Sequence, residues 1–174
     1  MPSELLSTKA PTRLRLLGFL AIGLGALLSG AGALATWAVI GFPASIHGFE
    51  LPVRGTDIWE GVVVLGAAVA AAVLAVVTYA TRSPAGRRSA GFAVAALGVA
   101  IVALTAVTLA VADGRFTQPD AVGAPLTPEA ARFLVIHVRP APWIALAGGI
   151  LILVGGVLRA WDARAATATP RPDI

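Results

Sequence analysis

The sequence predicts an all-α fold: a four-helix transmembrane bundle with a small extracytoplasmic cap formed by two outer loops. Three observations carry that expectation. Of 174 residues, 57% are hydrophobic and 13% charged, whereas soluble chains are about 25% charged. The mean hydropathy is +0.86, and a domain of this size leaves too much surface in water to hide so much apolar area. Four stretches are long and continuously apolar, and none alternates in the manner of a barrel strand.

Crossing a bilayer takes about 20 apolar residues. The expected spans are 16–40, 61–80, 91–111 and 143–160, within a single integral membrane domain covering 1–174. Residues 1–12 and 162–174 are expected as flexible cytoplasmic tails. In the first span, Lys9, Arg13 and Arg15 precede a leucine-rich run that reaches Ala33-Leu34-Ala35, which imitates a secretory signal. The apolar run continues past the roughly 7–15 residues of such a signal, through Trp37 to Ile40, which favours an uncleaved anchor over a cleaved signal. The link 81–90, TRSPAGRRSA, is short and broken by Pro84 and Gly86. The links 41–60 and 112–142 are longer.

Charge sets the orientation. The tails and the 81–90 link carry nine basic residues: Lys9, Arg13, Arg15, Arg82, Arg87, Arg88, Arg159, Arg164 and Arg171. The other two links carry four, Arg54, Arg115, Arg132 and Arg139, with six acids: Glu50, Asp57, Glu60, Asp113, Asp120 and Glu129. The two sides net +6 and −2. Basic residues concentrate on the cytoplasmic side, so both termini are expected there, in a plasma-membrane protein. Arg159 is assigned to that side, and the spans are read as free of ionisable groups. Trp37, Trp59 and Trp143 are expected at the outer boundary, Tyr79 and Trp161 at the inner one. Trp143 and Trp161 stand 18 residues apart, about 27 Å along a helix, close to the ~30 Å hydrocarbon thickness.

Small residues crowd the spans. The pairs Ala21/Gly25, Ala26/Gly30 and Ala145/Gly149 fit a small-xxx-small pattern that lets helices approach closely, and intramolecular packing is favoured over a dimer face. Ser29, Thr36, Thr78, Thr105 and Thr108 are each expected to bond a carbonyl one turn back along their own helix, in preference to lining a substrate path.

Chemistry-bearing motifs are lacking. Without cysteine, there is no disulfide framework, thiolate site or cysteine nucleophile. The chain holds no G-x-S-x-G, H-E-x-x-H or phosphate loop. His47 and His137 share the outer side with Glu50, Asp57, Asp113 and Asp120, yet their spacing matches no ligand motif. No enzyme, metal or cofactor is therefore expected. The pI near 11.0 does not point to nucleic acid, because the basic residues flank apolar runs and form no long stripe.

The outer links hold the clustered polar residues. Phe49, Leu51 and Val53 alternate with Glu50, Pro52 and Arg54, which predicts a short strand. Asp57 is expected to cap the second helix, with Glu60 in its first turn. Thr127-Pro128 opens an expected amphipathic helix carrying Phe133, Leu134, Ile136 and Val138. The two links are expected to pack on each other. The expected function is that of a non-enzymatic accessory or interaction protein using its extracytoplasmic face. It would meet a membrane-protein partner through Glu50, Arg54, Asp57, Arg132 and Arg139, whose charges set register. The alternative is a small-molecule, lipid or ion carrier or sensor. Apart from the lipid bilayer, the sequence names no partner, and it fixes no oligomeric state.

Thr36-Trp37, Arg54-Gly55-Thr56-Asp57 and the run Pro142-Trp143-Ile144-Ala145-Leu146-Ala147-Gly148-Gly149 carry a resemblance. With these motifs the chain resembles small four-span actinobacterial membrane proteins, such as the tryptophan-operon-associated membrane proteins. That resemblance implies four spans, a Trp at the outer end of the first and a glycine-rich last span. It implies no activity and no functional residue.

Overall fold

The computed structural model describes residues 10–41, 50–80, 83–112 and 135–168. In chain order they form α1 (Ala10–Leu34), β1 (Thr36–Gly41), β2 (Glu50–Arg54), a 3-10 turn (Gly55–Asp57), α2 (Trp59–Ala80), α3 (Pro84–Ala110), β3 (Val135–Val138) and α4 (Ala141–Ala168). The four helices alternate in direction around a ring. The three strands close one end, the sheet end, and a group of arginines occupies the other, the arginine end.

Each helix is long and apolar enough to cross a membrane, and α2, at 22 residues, is about 33 Å long. The distribution of side-chain size identifies the surrounding solvent. The face that α2 buries is Glu60 in its first turn, then Gly61, Val64, Ala68, Ala71, Ala75 and Thr78, mostly small. Its outward face carries Val62, Val63, Val69, Val73, Val76 and Val77, all exposed, and α1 likewise exposes Leu16, Leu17, Leu20, Leu24 and Leu27. A bundle in water would turn such residues inward. Large apolar side chains outside and small ones inside suit lipid on the outside and close helix contact within.

Helix α4 packs along both α1 and α3, α2 packs on the same two from the other side, and the diagonal pairs touch little. Glycines make the α4 contacts. On α4, Gly148 and Gly155 turn to α1, where they meet Gly25, Ser29, Gly18 and Ile22. Their neighbours Gly149 and Gly156 turn to α3, against Ile101, Ala95 and Gly91. The partner positions Gly18, Gly25 and Gly32 on α1, and Gly91 and Gly98 on α3, also recur every seven residues, the repeat that keeps a seam facing its partner. A Cβ on Gly25 would come within 2.6 Å of the Gly148 carbonyl oxygen, and one on Gly98 within 2.5 Å of the Leu153 nitrogen. The small residues thus serve intramolecular packing, as expected, although Gly30 meets nothing nearer than Leu65 on α2.

Several sequence expectations are corrected. The first helix stops at Leu34, and 36–40 is strand. Hydropathy does not separate a buried strand from the end of a span, whereas Thr36, Trp37, Val39 and Ile40 are strand formers. Trp37 is accordingly turned into the protein and not toward headgroups: it is 0% exposed, and its indole donates to the Gly32 carbonyl at 2.7 Å, one of the acceptors left over where α1 ends. Trp59, Trp143, Trp161 and Tyr79 are exposed, in keeping with boundary positions. Helix α3 begins at Pro84, with Ser83 as N-cap accepting from the Gly86 nitrogen, so Arg87 and Arg88 lie on a helix rather than in a link. Helix α4 runs on to Ala168, which removes 162–168 from the expected tail.

The sheet has the order β2-β1-β3, antiparallel throughout. Ile40 pairs with both Leu51 and Ile136, an apolar row across all three strands, and Trp37 is a bulge between the Thr36–Arg54 and Ala38–Val53 pairs. The predicted alternation holds in β2, where Leu51 and Val53 point inward while Glu50, Pro52 and Arg54 are exposed. Val135–Val138 is a strand, not the expected helix. Val135, Ile136 and Val138 are β-branched and find an open edge of β1 to pair with. Among the described residues the two links do not pair directly: β2 and β3 each lie against β1, which stands between them, while Phe49, Phe133 and Leu134 lie outside the described residues. Gly55 and Gly61 fasten the sheet to the bundle. A Cβ on Gly55 would collide with the Ala33 carbonyl and the Trp37 indole, and one on Gly61 with the Gly55 carbonyl.

Candidate functional site

The sheet end positions four of the five residues singled out in the sequence, and all four are exposed. Arg54 closes β2 beside the bulge, and its backbone nitrogen donates to Asp57 Oδ2 at 2.8 Å. Asp57 therefore caps the 3-10 turn and not α2, which begins two residues later. Arg139 follows β3, with its backbone nitrogen 2.8 Å from the Trp37 carbonyl. Arg54 and Arg139 thus flank β1 near the helices, on the two strands either side of it and about 10 Å apart. Glu50 pairs opposite Gly41 at the far end of β2, roughly 13 Å from Arg54 at the strand rise. Arg54, Asp57 and Arg139 share one end of the sheet, and Glu50 does not join them. Arg132 lies outside the described residues, as do His47, Asp113, Asp120, Glu129, Phe133 and Leu134. His137 is exposed on β3, and among the described residues no three His, Cys, Asp or Glu are grouped closely enough to hold a metal ion.

The arginine end holds what the sequence reading missed. Arg159 lies within the fourth span and is only 6% exposed, so the spans are not free of ionisable groups. Its stem passes against Gly18 of α1. Its Nη1 donates to Thr78 Oγ1 at 2.6 Å and to the Ala75 carbonyl at 3.1 Å, both on α2. The Thr78 hydroxyl donates in turn to the Ala75 carbonyl at 3.0 Å. One turn further along α2, the Tyr79 carbonyl accepts from Arg15 Nη2 at 3.2 Å. The Arg15 guanidinium lies 5.3 Å from the Tyr79 ring centre, and that ring packs 5.4 Å from Phe19. Two cations therefore converge on the last two turns of α2, at the helix end that carries negative partial charge. Arg87, in the first turns of α3, completes the group: both it and Arg15 lie within electrostatic reach of Arg159.

The sequence contains a signal for Arg159 other than charge. Ala145, Ile152 and Arg159 are spaced by seven, and the first two are fully buried. Arg159 continues a core position of α4.

The hydroxyls divide. Thr108 bonds the Leu104 carbonyl as expected, at 2.9 Å. Ser29 instead reaches across to the Ala145 carbonyl of α4 at 3.1 Å, and Thr105 Oγ1 is buried without a hydrogen-bond partner among the described residues.

A helical bundle with a lipid-suited exterior and a strand cap defines a multi-pass membrane protein. Compared with known proteins, the sequence matches no family model and no curated protein.

Proposed function

We propose that this chain is a non-enzymatic accessory protein of a bacterial plasma membrane, with both termini cytoplasmic and the sheet outside, where it engages another membrane protein. The observation that carries the reading is the built character of the sheet end. Strand pairing, the buried Trp37 and the Gly55 contact hold Arg54, Asp57 and Arg139 in fixed relation while leaving them exposed. Fixed, exposed charge favours selective encounter over general adhesion. The resemblance to actinobacterial four-span proteins belongs to the same proposal and adds no activity to it.

The test is photo-crosslinking in intact cells from positions 54 and 139, compared with the lipid-facing position 69. A discrete adduct at 54 or 139 and not at 69 is expected. Normal membrane levels with no adduct at either position overturn the reading. Orientation is tested separately, since the chain has no native cysteine: Ser83→Cys should resist an impermeant thiol reagent until the membrane is opened.

The second reading, a carrier or sensor, is favoured by one observation. Ionisable groups inside a membrane protein commonly mark a ligand or ion path, and Arg159 is such a group.

A further inference from the structure

Three helices deliver arginines to one end of the bundle. Arg15 comes from α1, Arg87 from α3 and Arg159 from α4, and the end of α2 supplies the neutral acceptors between them. Arg15 Nε, Arg87 Nε and Arg159 Nη2 are each buried and have no hydrogen-bond partner among the described residues. Buried guanidinium nitrogens ordinarily find acceptors, because desolvating a donor without one is costly. Three at one end of the bundle share a requirement for acceptor oxygens.

The local charge is also unbalanced. Among the described residues, the acid that acts on Arg159 is Asp162, against the two further cations Arg15 and Arg87. Carbonyls and the Thr78 hydroxyl supply partial charge only. A group with several acceptor oxygens and negative charge would answer both needs. Phosphate does so with tetrahedral oxygens that planar guanidinium forks match. Basic pockets between spans near a membrane surface are where lipid headgroups dock, and the arginines stand near the ends of their helices.

We infer that the arginine end is a binding site for one phosphate group, held by Arg15, Arg87 and Arg159. The phosphate belongs either to an anionic phospholipid or to a soluble phosphate compound. Arg159 forms the floor, fixed by Thr78 and Ala75, while the half-buried Arg15 and Arg87 form the rim. The site stands apart from the sheet-end reading, and the failure of either leaves the other intact.

The experiment follows thermal unfolding and binding of the full chain in uncharged detergent. Three additions are compared at constant ionic strength: phosphatidylglycerol, phosphatidylcholine and inorganic phosphate. Saturable stabilisation by phosphatidylglycerol alone supports the site with a lipid as its source. Stabilisation by inorganic phosphate as well supports the site with access from solution. Arg15→Gln and Arg87→Gln should each weaken binding about tenfold or more, the effect of losing a charged hydrogen bond, and Arg13→Gln, on the exposed side of α1, should not. Arg159→Gln is included where it folds, and the two rim variants decide the matter where it does not. The inference is overturned if none of the additions stabilises the wild-type chain, if phosphatidylcholine acts as strongly as phosphatidylglycerol, or if the rim variants bind like wild type.

Discussion

The two ends of this bundle solve the same problem in opposite ways. At each end, helices stop and leave backbone groups without intrahelical partners. At the sheet end the protein's own backbone and neutral side chains take them up: the Trp37 indole on the Gly32 carbonyl, the Gly55 nitrogen on the Ala35 carbonyl, and strand ladders beyond. At the arginine end the carbonyls of α2 are met by cations whose remaining donors go unanswered among the described residues. Closure by these neutral groups is made within the chain and ties the sheet to α1. Closure by like charges leaves a residual demand for an outside anion. The first end is built for shape and the second for affinity, although both rest on the same glycine-packed middle.

The largest effect should come from the middle itself. Gly148→Leu would drive a side chain into Ser29 and the Gly25 carbonyl, and overpacking of this kind costs about 1–3 kcal/mol or more. With backbone in the way on α1, loss of the folded bundle is expected in detergent melting. Gly66→Leu, on α2 with nothing within 4 Å, should melt like wild type. Equal sensitivity at the two positions would break the view that α4 is the tightly seated helix.

Next, Trp37→Ala should destabilise by about 3–5 kcal/mol, with the sheet end gaining hydrogen exchange before the arginine end does. Simultaneous loss of protection at both ends would mean that the cap and bundle are one cooperative unit.

The third prediction concerns sign. Thr78→Val removes the 2.6 Å acceptor of Arg159 and should cost about 1–3 kcal/mol. Arg159→Met removes the buried charge altogether and should be neutral or stabilising, as replacing buried ions by apolar groups often is. Chemical denaturation of the two variants side by side checks this. A large loss in Arg159→Met would make the arginine a strut and weaken the contrast between the ends.

The smallest effect is expected at Asp57→Ala. It removes the bond to the Arg54 nitrogen on an exposed turn, at about 1 kcal/mol or less, visible as a modest shift in melting.

The spans α2, α3 and α4 were readable from apolar length alone, because that length is set by the bilayer and not by detailed packing. β1 was not, since Trp-Ala-Val-Ile is as apolar as the helix before it and differs in backbone preference. β3 is not legible as a strand because the four residues Val-Ile-His-Val carry little periodicity, and their conformation is decided by a partner, β1, that lies about a hundred positions earlier. Among the site residues, Arg54 and Asp57 were legible through the turn they bracket. For Arg159, charge beside a span indicates side and carries no information about depth. Its depth follows from the seven-residue repeat it shares with Ala145 and Ile152, and that repeat is visible only when the small residues are read as a seam.

The glycine seams also fix an order in time. Helices α1 and α3 scarcely touch each other, and both are seated against α4, which follows them in the chain. Until α4 is synthesised and inserted, the close-contact faces built around Gly25 and Gly98 have only lipid beside them. Assembly of the bundle must therefore wait for its last helix, and a nascent chain interrupted before position 141 would present to the membrane's quality control two open faces that the finished protein never shows.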